Sequence, residues 1–164
     1  MKVFGFAGWS GSGKTTLIER LLPRFVSHGL KVSLIKHAHH KFDVDRPGKD
    51  SYRHREAGCT EVVVVSGKRW VIMHELRGEP EPTLDEQIAR MSPCDLLLVE
   101  GYKFHPIPKL EVWRKDNAKP LLHPEDRHIV AIASDDALDT RLPRFDLNDH
   151  DAIGDFILTF SGLK

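Results

Sequence analysis

Cysteine is scarce: Cys59 and Cys94 are the only two in 164 residues, and neither belongs to a C-x-x-C pair. Their isolation excludes a disulfide framework and a cysteine-based zinc site, and suits a reducing compartment with both thiols packed in a core. Net charge is missing too. Lys+Arg and Asp+Glu stand at 24 each, so no global field draws the chain to nucleic acid or a membrane surface. Long apolar runs are absent, the longest being Val62–Val65 and Leu96–Val99, far too short to cross a bilayer. The N-terminal apolar run is broken by Gly5 and Gly8, which leaves no secretory h-region. These absences set the expectation of a soluble cytoplasmic protein with no nucleic-acid partner and no membrane partner.

What is present is a folding chain. With 40% hydrophobic and 29% charged residues it has globular composition. A chain of this length is expected to form a single domain over 1–164, burying about 70% of its unfolded surface. Its most informative segment is Gly8-Trp9-Ser10-Gly11-Ser12-Gly13-Lys14-Thr15, which fits G-x-x-x-x-G-K-[ST] without a mismatch. A short apolar run, Val3–Ala7, precedes it, and a helical pattern follows from Thr16. Strand, glycine loop and helix together make a phosphate cradle. The loop aims backbone N–H groups at an anion, and the helix start adds free donors and partial positive charge. Lys14 is placed to reach the outer phosphates, and the Thr15 hydroxyl to ligate Mg²⁺.

Further along, Leu17, Ile18, Leu21, Leu22, Phe25 and Val26 recur at helical spacing, with Gly29 as the stop and Pro23 as an internal misfit expected to kink the helix. Val32–Ile35 predicts a second strand, completing a right-handed βαβ unit. A short helix over Ser51–Ala57 is closed by Gly58. Glu61–Ser66 predicts a buried strand, turned by Gly67-Lys68 onto a partner, Arg69–His74. Thr83 is the expected N-cap of a helix over Leu84–Met91. Strands follow at Asp95–Glu100, Leu110–Arg114 and Ile129–Ala133, and Asp149 caps a last helix, Ala152–Phe160. Helices alternating with strands, without repeat or linker, predict a three-layer α/β sandwich with a mostly parallel sheet.

In a parallel sheet the ligand lies outside the carboxyl ends of the strands. Glu100, after four aliphatic residues, therefore emerges beside the phosphate loop where a metal needs an anionic partner, a Walker B pattern with Glu in place of Asp. Asp43 and Asp45 could approach the metal from the loop after the second strand, and Asp45 is favoured because Pro47-Gly48 can turn it back. The stretch Lys36–Arg55 holds six Lys/Arg against three Asp, with four histidines among them, and should attract anions. His37, His39 and His40 are better read as lining that polar anion site than as a zinc site, which wants four softer ligands.

Four segments share one known order and spacing: Phe6–Thr16, Ile35-Lys36-His37-Ala38-His39-His40, Asp43–Tyr52 and Val99-Glu100-Gly101-Tyr102-Lys103. In these the chain resembles the MobB family of molybdopterin-guanine dinucleotide biosynthesis adapter proteins, nearly end to end through Ala131–Asp135. The resemblance implies the P-loop containing nucleoside triphosphate hydrolase fold, GTP and Mg²⁺ as ligands, a homodimer, and at most slow GTPase activity. It also implies an accessory role to the molybdenum cofactor guanylyltransferase, with molybdopterin or its dinucleotide product nearby. The family's phosphate residues carry over to Gly11, Ser12, Gly13, Lys14, Thr15 and Thr16, with Gly8 opening the loop, and its acidic metal-side residue to Glu100. The Asn-Lys-x-Asp guanine motif of many GTPases is absent. Asp135, after a strand end, is the best substitute to accept from guanine N1–H and N2–H, with a helix-capping or turn role as the alternative. A small-molecule kinase or a metallochaperone-type GTPase would use the same cradle. The first needs a base near the γ-phosphate, the second a thiol or histidine donor site.

Overall fold

The computed structural model describes residues 1–38 and 42–164. In chain order its strands are β1 (Lys2–Ala7), β2 (Val32–Lys36), β3 (Glu61–Val65), β4 (Trp70–His74), β5 (Leu96–Glu100), β6 (Lys109–Trp113), β7 (Ile129–Ser134) and β8 (Arg144–Asp146). The helices are α1 (Lys14–Ser27), α2 (Asp50–Glu56), α3 (Leu84–Arg90) and α4 (His150–Phe160), with a short 3-10 turn at Lys115–Asn117. Two compact units result, Met1–His37 with Gln87–Lys164, and Ala38–Glu86. None of the helices among the described residues is long and apolar enough to cross a membrane.

The first unit is an α/β sandwich around a six-stranded sheet ordered β2-β5-β1-β6-β7-β8, parallel at every pairing. One face carries Phe4, Phe6, Leu96, Leu98, Leu110, Val112, Ala131 and Ala133. They form a single buried cluster with Leu17, Ile18, Leu21 and Phe25 of α1 and Ile153, Ile157 and Leu158 of α4. The alternation of the pleat sends Leu97, Val99 and Ile132 to the other face, where they are also fully buried. A parallel strand covered on both sides reads as a near-continuous apolar run, and β5 is buried at every residue.

α1 ends as expected. The Gly29 N–H donates to the Val26 carbonyl and the Leu30 N–H to the Phe25 carbonyl, a Schellman closure that needs the positive φ of 77° at Gly29. The helix runs through Pro23, which lies inside Lys14–Ser27. The Thr83–Glu86 capping box starts α3, with Oε2 of Glu86 2.7 Å from the Thr83 N–H. Asp149 accepts from the Ala152 N–H at 2.9 Å to start α4.

Three expectations are corrected. Helices do not alternate with strands throughout: β5 to β6, β6 to β7 and β7 to β8 are joined by stretches containing no α-helix. Buried charge on β6 explains how such loops can cover a sheet. Lys109, fully buried, donates to the His105 carbonyl at 2.6 Å and pairs with Asp126 at 2.7 Å. Glu111, also fully buried, accepts the Leu122 and His123 N–H groups at 2.6 and 3.0 Å. A helix satisfies its own backbone; these loops borrow two side chains from the strand beneath. The strand β8 was hidden because it is three residues long and carries Arg144 and Asp146 at its ends.

The second unit holds the other two corrections. β3 and β4 pair antiparallel as a separate two-stranded sheet, with Val63 opposite Ile72 and Val65 opposite Trp70. The valines are not buried: Val63, Val65, Trp70 and Ile72 share one face and are 53%, 71%, 61% and 48% exposed. Apolarity signals a face that prefers to be covered, not that the same chain covers it. Cys59 is likewise exposed, whereas Cys94 is buried.

Candidate nucleotide site

Gly8–Gly13 follows the carboxyl end of β1 and runs straight into α1. Three positive φ angles shape it, 145° at Gly8, 80° at Gly11 and 95° at Gly13. At Gly8 the demand is absolute, because a Cβ would stand 2.4 Å from the Val112 carbonyl oxygen and 2.7 Å from Ser12 Oγ. The Ser12 N–H donates to the Trp9 carbonyl at 3.2 Å, and the Leu17 N–H to the Gly13 carbonyl at 2.9 Å, closing the loop onto the first turn. Inside it, the Lys14 ammonium donates to the Gly8 and Trp9 carbonyls at 2.9 and 2.8 Å. Burial holds this amine below its ordinary value. Glu100 opposes that effect, while Lys103 and Lys36 add repulsion. Ser12 Oγ is buried with no hydrogen-bond partner among the described residues. A loop of positive-φ glycines closed around an ammonium, with an unspent hydroxyl, fits a polyphosphate.

The neighbouring strand ends in the expected acid. β5 pairs directly with β1, and Glu100 lies opposite Phe6, at the same end of the sheet as the loop. Its Oε1 accepts the Thr15 hydroxyl at 2.6 Å, and its Oε2 lies 3.3 Å from the Lys36 ammonium. Lys36 also donates to Thr15 Oγ1 at 3.2 Å. A hydroxyl and a carboxylate holding each other while facing a cation form the oxygen-rich set a hard divalent ion takes. Thr15 and Glu100 are thus brought together by the fold. Thr16 is exposed on the first turn. Gly101 lets the chain leave β5, with φ at 98° and room for no Cβ beside His37.

Asp135 follows β7 on the other side of the loop. Its Oδ2 receives Arg114 Nη1 at 2.9 Å, and Arg114 Nε reaches the Ser12 carbonyl at 3.3 Å. Asn117, from the 3-10 turn, stands 3.5 Å from where a Gly11 Cβ would be, and its buried Nδ2 has no partner among the described residues. Lys103 lies over the Trp9 ring at 4.0 Å. Arg114 and Asn117 belong to none of the sequence motifs, while Lys36 figures there only in the basic stretch and Lys103 only in a family segment. One signal was available for two of them: Lys36 ends β2 and Arg114 directly follows β6, at the carboxyl ends of strands already assigned to the ligand.

Asp45 lies in the second unit. Its carboxylate accepts from the Arg46 N–H at 2.9 Å, the Ser51 hydroxyl at 2.9 Å and Arg55 Nε at 3.3 Å. Arg55 also pairs with Asp43 at 2.9 Å and with Glu75 at 2.5 Å. The Asp45 N–H, 2.8 Å from Asp43 Oδ1, and then Arg55 hold Asp43 below the ordinary carboxylate range, and against the opposing effect of burial Arg46, Ser51 and Arg55 do the same for Asp45. Asp45 ties the loop to α2 in this form. His39, His40 and Lys41 lie outside the described residues. His37 stacks on Tyr102, ring centroids 4.7 Å apart.

The family model described as molybdopterin guanine dinucleotide synthesis protein B, MobB, matches residues 3–135. The molybdopterin-guanine dinucleotide biosynthesis adapter protein of Escherichia coli K12 is 43% identical over 160 residues, covering 95% of this chain and 91% of that one. Its namesake from Haemophilus influenzae is 42% identical over 159 residues, covering 94% and 86%. Among solved structures, Bacillus subtilis MobB matches with a TM-score of 0.77 at 25% identity over 97% of each chain. The MobB homologue of Bacillus stearothermophilus matches over 100% of both chains with a TM-score of 0.76. The parallel sheet, the phosphate loop at its carboxyl edge and this likeness along the whole chain agree: the protein belongs to the MobB family and has its P-loop nucleotide-binding fold.

Proposed function

We propose that this chain binds GTP with Mg²⁺ and serves as an accessory adapter to the guanylyltransferase that joins GMP to molybdopterin. The observation that carries the nucleotide half is the Lys14 ammonium turned into a loop of three positive-φ glycines, beside the Thr15–Glu100 pair. In this reading Gly11, Ser12, Gly13, Lys14, Thr15 and Thr16 hold the phosphates, Thr15 and Glu100 face the metal, and Asp135 accepts from guanine. Asp45 would join the metal only by leaving Ser51 and Arg55. Hydrolysis in this reading is slow and either incidental to the adapter role or regulatory for it. The adapter half rests on the relatives' names and on the match from end to end.

The homodimer finds support in the bare β3–β4 face. An isolated two-stranded sheet is marginal in water. Four apolar side chains on one side of it are suited to meet their symmetry copies across a two-fold axis. The basic stretch from Lys36 to Arg55 is assigned to a second anion, the phosphate of molybdopterin or its dinucleotide product.

Calorimetry with GTP and ATP, each with and without Mg²⁺, tests the first half: GTP·Mg²⁺ should bind tightest. A reconstituted guanylylation assay tests the second. Lys49→Ala with Arg53→Ala should leave GTP binding intact and reduce stimulation of the transferase. Stimulation that survives unchanged removes the second anion site.

A further inference from the structure

Lys36 is the last residue of β2 and pairs in register with Glu100, the last of β5. Its ammonium lies 3.3 Å from Glu100 Oε2 and 3.2 Å from Thr15 Oγ1, while Glu100 Oε1 holds the Thr15 hydroxyl at 2.6 Å. The two groups that would face a divalent cation thus already face an amine. The Glu100 side chain is only 8% exposed, and a carboxylate so enclosed needs a compensating cation. Lys14 does not supply it by contact, since its ammonium is bonded to the Gly8 and Trp9 carbonyls. The Lys36 side chain is half exposed, at 51%, so its four-carbon stem can swing without unpacking a core.

We propose that Lys36 is a tethered stand-in for the metal: it neutralises Glu100 in the nucleotide-free protein, and a divalent cation must displace it to enter. This rests on the reading of Thr15 and Glu100 as the metal side. Two cations cannot share one carboxylate without repulsion, so bare metal is kept out. A nucleotide changes the balance, because its phosphates accept the displaced ammonium as the metal takes Glu100. Metal and nucleotide then enter together.

The test uses Mn²⁺ as the probe, titrated by electron paramagnetic resonance into the nucleotide-free full chain. Lys36→Met and Lys36→Gln should each bind Mn²⁺ about two- to fivefold more tightly than wild type, the range of a half-exposed ion pair. Lys36→Arg, which keeps the charge, should stay near wild type. Affinity unchanged or weakened in both neutral variants, with melting curves showing them folded, overturns the stand-in role. Glu100→Gln separates the two readings. If it keeps full Mn²⁺ affinity with and without GTP, the metal side itself is misplaced; if it loses affinity while the Lys36 variants match wild type, only the stand-in fails.

Discussion

Arg114 joins Asp135 to the phosphate loop: one guanidinium holds the Asp135 carboxylate at 2.9 Å and the Ser12 carbonyl at 3.3 Å. The residue assigned to the base and the loop assigned to the phosphates therefore share a cation. Asp135→Asn should lower the preference for GTP over ATP by at least tenfold. It removes an anionic acceptor, and hydrogen bonds to charged groups contribute about 1.5–3 kcal/mol. Competition binding reads the ratio; an unaltered ratio would move base recognition to another residue.

Lys14→Ala should reduce GTP affinity by about 100-fold or more, because two or more charged hydrogen bonds at about 1.5–3 kcal/mol each are lost. Thermal stability should change little, since the ammonium contacts two loop carbonyls and no core residue. Calorimetry and a melting curve on the same preparation separate binding from folding. Unchanged affinity would refute the cradle.

Gly101→Ala should destabilise the fold by about 1–3 kcal/mol. The added Cβ meets His37 Cβ at 2.9 Å, at a backbone φ of 98° that side chains disfavour. Because Gly101 follows Glu100, the variant should also weaken metal-dependent nucleotide binding more than metal-free binding. Urea denaturation and calorimetry give the two readings.

Acid should expose the junction of α1, α4 and the C-terminus. Lys164 and then Arg24 bond the Asp155 carboxylate and hold it down at about 2. A carboxyl whose folded value lies below its ordinary value near 3.9 stabilises the fold fully above that value. The contribution disappears as pH falls from about 4 toward about 2. Asp155→Asn should therefore lose less stability than wild type between pH 5 and pH 2.5, measured as the shift in urea midpoint. Equal shifts would show that the bonds to Lys164 and Arg24 contribute nothing.

Much of this was legible in the chain because it depends on local pattern. The loop consensus, the Gly29 stop, the Thr83 and Asp149 caps and the apolar run into Glu100 are all short-range signals, and each lies where the pattern put it. What the pattern could not carry is which surface covers an apolar face. Val62–Val65 reads as buried by composition alone, yet Val63, Val64 and Val65 are all exposed once the two strands have paired. Lys109 and Glu111 mislead in the opposite sense, as charged residues that are wholly enclosed because loops distant in sequence deliver backbone partners to them. Arg114 could be placed at a strand end, but its role was hidden for the same reason, its partners lying 102 and 21 residues away.

The direct pairing of β1 with β5 has a mechanical consequence. The phosphate loop and Glu100 leave neighbouring strands that share one backbone ladder, so neither strand end can shift without breaking that ladder. Any rearrangement between Thr15 and Glu100 therefore falls to side chains such as the half-exposed Lys36, while the frame beneath them stays fixed.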